Sequence, residues 1–132
     1  MSRAAIFNAL KNDVVLAEIS PGYGCYPNNS ADTPEEDKFL ILRWMDKRVG
    51  PVKGRGPRDL QVWAHDHSGS YAAIDRMLAR VTEILLAMTH VQGGDGQTIT
   101  QVDYISESQD LYDDGFRTIA RNVTFTVVSR PT

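Results

Sequence analysis

Between Arg58 and Arg130 the hydrophobic period of the chain switches from two residues to a helical repeat and back to two, an order that few folds satisfy. Leu60, Val62 and Ala64 alternate with Gln61, Trp63 and His65, the pattern of a strand with one buried face. Ile74, Met77, Leu78, Val81, Ile84, Leu85 and Met88 then fall on one stripe of a helix running from Tyr71 to about Thr89, with Ser68 or Ser70 as its cap. Asp75, Arg76, Arg80 and Glu83 make up its polar face. At this length the helix spans roughly 30 Å, enough to cross a small sheet and seal one side of it. Gly93, Gly94, Asp95 and Gly96 turn the chain into a strand from Thr98 to Ser106, where Ile99, Val102 and Ile105 break the alternation and predict a bulge. In the last strand Val123, Phe125 and Val127 face the core. Asn122, Thr124 and Thr126 form the other side, which predicts a face meeting water or another subunit.

The first half supplies the remaining elements. Ala5, Ile6, Ala9 and Leu10 share one face of a short helix that Ser2 can cap and that runs through Lys11, and Asp13 restarts a helical segment from Val14 to Ile19. Ser20 to Asp37 is rich in Gly, Pro, Asn, Ser and acids and reads as a long loop. Phe39 to Leu42, continued by Arg43 and Trp44, is an apolar run suited to a strand covered on both faces and placed centrally. Residues 46–58 hold Gly50, Pro51, Gly54, Gly56 and Pro57, which forbid regular structure and make a basic loop that closes a hairpin with the next strand. The expected fold is therefore a single α+β domain over residues 1–132. It has a four-stranded mixed or antiparallel sheet, with the long helix and the short N-terminal helix packed on one face.

Composition narrows the function classes. A chain of 132 residues makes one core. A formal net charge of -3, from 14 basic and 17 acidic residues, disfavours a surface that grips nucleic acid throughout. Cys25 is the single cysteine and reads as a buried or idle thiol in a reducing compartment. The first residues lack the apolar stretch of a signal peptide, and no run of about 18 apolar residues occurs, so neither secretion nor a membrane span is expected.

Candidate chemistry is sparse. His65, Asp66 and His67, with His90 as a fourth ligand, are the residue types zinc takes, but the spacing is no zinc signature, and exposed histidines at a strand end are the plainer reading. Asp110, Asp113, Asp114 and Gly115 lack the alternating oxygen ligands and closing Glu of a calcium loop, so a solvated turn is expected. Gly93, Gly94 and Gly96 follow a helix and precede a strand, the reverse of a phosphate loop. No nucleophile elbow and no Ser, His and Asp set is recognisable, and the carboxylates lie in stretches with no sign of desolvation. The chain is thus expected to be no enzyme and to carry no cofactor.

Tyr26-Pro27-Asn28, Phe39-Leu-Ile-Leu-Arg-Trp44 and Gly56-Pro-Arg-Asp-Leu-Gln-Val-Trp-Ala-His65 are followed by Tyr71-Ala-Ala-Ile-Asp75 and Arg80-Val-Thr-Glu-Ile-Leu-Leu86. Asp110-Leu-Tyr-Asp-Asp-Gly-Phe116 and Arg121-Asn-Val-Thr-Phe125 complete the series. In order and spacing these stretches resemble the tail terminator proteins of long-tailed, siphovirus-type bacteriophages, particularly those of actinobacteria, over nearly the whole chain. The resemblance implies a virion structural protein without catalysis. Its members form a hexameric ring that caps the tail tube, ends its polymerisation and offers the surface to which the head attaches. The partners so implied are identical subunits, the major tail tube protein and the head-to-tail connector protein, with non-specific contact to DNA passing through the lumen and none to membrane. Another head-to-tail connector (neck) protein, or a small ferredoxin-like binding module using the Thr-rich face, are the alternatives. The latter lacks stacking aromatics on that face.

A closed ring joins two different patches on each subunit. Lys47, Arg48, Lys53, Arg55 and Arg58 form a basic patch and Glu107, Asp110, Asp113 and Asp114 an acidic one, and their pairing is the expected device for setting register between neighbours. The charge of the basic loop is fixed by sequence but its direction is not. Lumen, axial protein contact and solvent all stay open for it.

Overall fold

The computed structural model describes residues 3–27, 34–45 and 57–132. Its elements are α1 (Arg3–Lys11), α2 (Val14–Ile19), β1 (Gly24–Tyr26), β2 (Lys38–Met45), β3 (Arg58–Asp66) and α3 (Tyr71–Leu86), then β4 (Val91–Gln92), β5 (Gln97–Glu107), β6 (Leu111–Asp113) and β7 (Thr118–Pro131). The fold is α+β with the helices on one face of the sheet, as the hydrophobic periods predict. The sheet holds seven strands, however, in the order β1-β2-β3-β7-β5-β4, with β6 also on β7. The expected four strands are β2, β3, β5 and β7. The three missed strands are two or three residues long, too short to express a period, and β1 lies inside the stretch read as a loop over residues 20–37.

β2 and β3 form the expected antiparallel hairpin, while β1 joins β2 in parallel. β2 is not central: β3 and β7 are, and β2 is buried on both sides because Phe39 and Ile41 are covered as fully as Leu40 and Leu42. The expected irregularity in β5 is real, with register shifts between Ile99 and Gln101 and between Tyr104 and Ser106.

Helix boundaries follow local chemistry. Ser70, not Ser68, caps α3 by accepting from the Ala73 amide at 3.2 Å. Asp66 holds the turn before it, its two carboxylate oxygens accepting the amides of Ser68 at 2.8 Å and Ser70 at 3.2 Å while Gly69 takes φ +79°. The helix stops at Leu86, short of Thr89, because Ala87 closes it and His90 turns the chain with φ 55°. Asp13 caps α2, as expected. Ser2, the expected cap of α1, lies outside the described residues.

The core is one layer. Ile6 and Leu10 of α1, Leu16 of α2 and Ile74, Met77, Leu78, Val81 and Leu85 of α3 pack on Leu40, Leu42, Leu60, Val62, Val123, Phe125 and Val127 of the sheet. The sheet curls: Asp95, in the turn before β5, lines one open depression of about 350 Å³ together with Arg3, Phe7, Leu42 and Trp44 from the other side of the strand order. Among the described residues no helix is long and apolar enough to cross a membrane.

Candidate assembly surface

β5 and β6 are one edge strand interrupted by a corner. Both run antiparallel to β7 on the same side, β5 opposite residues 123–131 and β6 opposite residues 118–120. Across the corner the Ser108 amide donates to the Asn122 carbonyl at 2.8 Å, and the Asn122 amide donates to the Ser108 hydroxyl at 3.0 Å. Tyr71, at the start of α3, donates its hydroxyl to the Leu111 carbonyl at 2.9 Å and so ties the helix to β6.

Arg121 organises the acidic segment at this corner. Its guanidinium donates to the Ser108 carbonyl from Nε at 3.3 Å and Nη2 at 3.2 Å. The same group pairs with Asp75 of α3, with Glu107 at 3.3 Å and with Asp110 at 3.6 Å. One cation thus serves three carboxylates, leaving the cluster net negative. The pKa of Arg121 is shifted upward: burial opposes the charged form, and the surrounding carboxylates, Asp75 foremost, outweigh it. Asp113 accepts the Phe116 amide at 2.9 Å and so shapes the β6–β7 hairpin, where Arg117 takes φ 57°. Asp114 is exposed. Two of the four acidic residues singled out in the sequence therefore share an internal cation, one makes a turn and one faces solvent.

Of the basic residues, Lys47, Arg48, Lys53 and Arg55 lie outside the described residues, and Arg58 opens β3 in a half-buried position. Nothing in the spacing of the residues marks Arg121 as the cation that gathers the acidic segment. Its position opposite Ala64 on a central strand emerges only from the pairing of β3 with β7.

The histidines do not converge. Among the described residues no group of three or more His, Cys, Asp or Glu side chains is placed to hold a metal ion. His65 is not exposed at the strand end, as the plainer reading had it, but 2% accessible. It stacks on Phe39 with ring centroids 4.7 Å apart, meets Phe116 edge-on at 5.3 Å and bonds the Thr118 hydroxyl through Nδ1 at 2.8 Å. Burial pushes its pKa down to about 4, with Asp113 opposing and His67 adding to the effect. His67 is exposed, and His90 sits in the turn before β4. The Cys25 thiol is half-buried, and burial pushes its pKa up to about 12, which keeps it protonated and inert.

The Thr-rich side of β7 is also less open than expected. Asn122, Thr124 and Thr126 are only 7–8% accessible. Their strand is central, so these short side chains lie between the rows of β3 and β5, beside Trp63, Gln61 and Asp59 on one flank and Ser106 and Asp103 on the other. Thr126 donates to Asp59 at 2.9 Å. Accessible apolar side chains lie instead on the edge strand, where Tyr104, Ile105 and Tyr112 are 45%, 50% and 61% accessible, and on the helices, at Val14, Val15 and Leu86.

No family model matches the sequence. No curated protein matches it either. Among solved structures the fold is similar to a chain in the virion of a native gene transfer agent particle, with a TM-score of 0.70 and 15% sequence identity. The match covers 96% of this chain and 92% of that chain.

Proposed function

We propose that this chain is a structural virion protein of the tail-terminator type. It forms a hexameric ring that caps the tail tube, ends tube polymerisation and presents the surface to which the head attaches. The observation that carries this reading is the near end-to-end likeness of the fold to a component of a virion particle. The resemblance of the ordered sequence stretches to tail terminators is in keeping with it. The surface agrees with such a role: an edge strand with aromatic, aliphatic and acidic side chains is accessible. Its partners on this reading are its own copies, the tube protein and the head connector, with DNA crossing the lumen, and its place is the head-proximal end of the tail. The basic loop of residues 46–58 meets the acidic segment of the neighbouring subunit, where Asp114 and the net negative cluster around Arg121 attract it.

Deletion of the gene in the producing phage or particle tests the role. A terminator's loss leaves tube growth unchecked, so headless tubes of uncontrolled length are expected by electron microscopy. Tubes of normal length that fail to join heads would instead make the chain a neck connector. Normal, joined particles would end the virion reading.

A further inference from the structure

Edge strands in monomers are normally blunted, because a row of unpaired amides and carbonyls invites another strand. β5 is not blunted. β4 covers it only at Thr98 and Ile99, and among the described residues no strand pairs with its outer side from Thr100 onward. From Gln101 to Glu107 the edge has no Lys and no Pro, and it carries Tyr104 and Ile105 in the open. The two register shifts in β5 isolate Gln101, Val102, Asp103 and Tyr104 as one regular stretch in unbroken register with β7.

Among the described residues, the opposite edge of the sheet has an unpaired stretch of the same length. β1 covers β2 at Phe39, Leu40 and Ile41, and among the described residues Leu42, Arg43, Trp44 and Met45 have a strand partner on one side only, β3. The two free stretches differ in charge. Arg43 is exposed on β2, and the Arg3 guanidinium lies over the Trp44 ring at 5.7 Å, whereas β5 presents Asp103 followed by Glu107 and the acidic corner.

We infer that the β5 edge of one subunit seats the free end of β2 from a second copy, Gln101–Tyr104 alongside Leu42–Met45, so that the sheets of neighbouring subunits join edge to edge. The contact is heterologous, one edge meeting a different edge, which is the geometry a closed ring requires. Backbone bonds give the pairing its affinity, Arg43 against Asp103 favours the correct partner, and the bulges at both ends of the stretch restrict slippage. Burial of Tyr104 and Ile105 adds apolar area at the same seam.

This inference rests on the ring reading, and its test separates the two. Asp103→Cys and Arg43→Cys are introduced together in the full chain carrying Cys25→Ala. Both sites are exposed, so the fold should tolerate them. A short bis-maleimide is added at high protein concentration, and products are resolved on a denaturing gel. A ladder of covalent oligomers from the double variant, absent from either single-cysteine chain, is expected. Dimers from Asp103→Cys alone would show like edges meeting and overturn the pairing. A ladder from Arg43→Cys with Glu18→Cys on α2, but none with Asp103→Cys, would move the ring contact to the helical face and leave the ring standing. Absence of cross-linking in every pair overturns the edge contact, and the ring itself then stands or falls on the particle phenotype of the deletion.

Discussion

Arg80 holds Asp13 in a two-pronged grip across 67 residues of sequence, with Nε 3.0 Å from Oδ2 and Nη2 2.9 Å from Oδ1. The same carboxylate caps α2 by accepting the Leu16 amide at 2.8 Å, so one side chain both starts a helix and docks it on α3. Asp13→Ala removes both and is expected to cost about 2 kcal/mol, the sum of a lost cap and lost charge-assisted bonds in a half-screened site. Calorimetry should show a melting temperature lower by about 8 °C. Asp13→Asn keeps the cap and should recover part of the loss, whereas Arg80→Lys should recover little because an ammonium has no planar fork. The Arg80 guanidinium holds the Asp13 carboxyl below the usual carboxylate range. Its stabilisation is therefore complete above the unfolded value near 3.9 and fades as pH falls through the lower folded value.

His65 sets a second pH window. Its folded pKa of about 4 lies below the ordinary 6.5, so between those values the unfolded chain binds a proton that the folded chain refuses. The neutral ring's contribution is fully present above pH 6.5 and is lost as pH falls towards 4. Between pH 6.5 and 5, where most carboxylates remain ionised, the loss should reach at most about 2 kcal/mol. Urea unfolding at those two pH values measures it. His65→Gln should be less stable at pH 7 and show a flatter response to pH, while an unchanged slope would assign the pH dependence to other groups.

What the sequence revealed and what it hid divide along one physical line. Periodicity reports burial within a strand or helix, so α3, β3 and the core side of β7 were legible from Ile74, Val62 and Phe125 and their neighbours. It does not report which strands lie beside one another. β1, β4 and β6 exist because longer strands offer them an edge, and β7 is central because β3 and β5 both pair with it. Asn122, Thr124 and Thr126 looked like a wet face by residue type and are hidden by that centrality. His65 looked exposed because Phe116, which meets it, is 51 residues away and arrives through the β6–β7 hairpin. The acidic segment was visible as charge, but Arg121, which organises it, was not.

Asp66 tests how much a buried carboxylate contributes to the strand-to-helix turn. It is 1% accessible and accepts two backbone amides, with the Lys38 ammonium 3.8 Å away. Asp66→Ala removes the acceptor of both amides and should cost about 1–2 kcal/mol, because Ser68 is exposed and Ser70 half-buried and water takes over part of the lost bonding. Asp66→Asn retains one acceptor oxygen and should cost less. Amide exchange at Ser68 and Ser70 is the direct readout, and protection kept in Asp66→Ala would rule out the carboxylate as their partner.

Cys25 offers a check on the packing of α1 against β1 that needs no mutation. Its thiol is kept protonated by burial, with a pKa pushed up to about 12, and Lys11 only partly offsets this. Ellman's reagent at pH 8 should therefore label the folded chain far more slowly than the urea-unfolded chain. Labelling as fast as a free thiol would mean that α1 and β1 open readily.

Arg121 joins stability to the proposed seam. Replacing it with Ala removes the shared cation from Asp75, Glu107 and Asp110 and leaves the Ser108 carbonyl without its guanidinium donors. The folded chain should lose about 1–2 kcal/mol, more than an exposed pair would give because the Arg121 side chain is only 16% accessible. Exchange protection should fall first at Ser108 and Asn122, whose backbone bonds cross the corner. The three freed carboxylates also raise the negative charge at the Glu107 end of β5, which draws Arg43 of a neighbour more strongly, while the corner itself loosens. If backbone pairing dominates the seam, Arg121→Ala lowers the yield of the Asp103→Cys and Arg43→Cys ladder at every ionic strength. If charge dominates, the yield rises at low salt and returns to that of the parent at high salt, so a salt series on the same gel decides which force closes the contact.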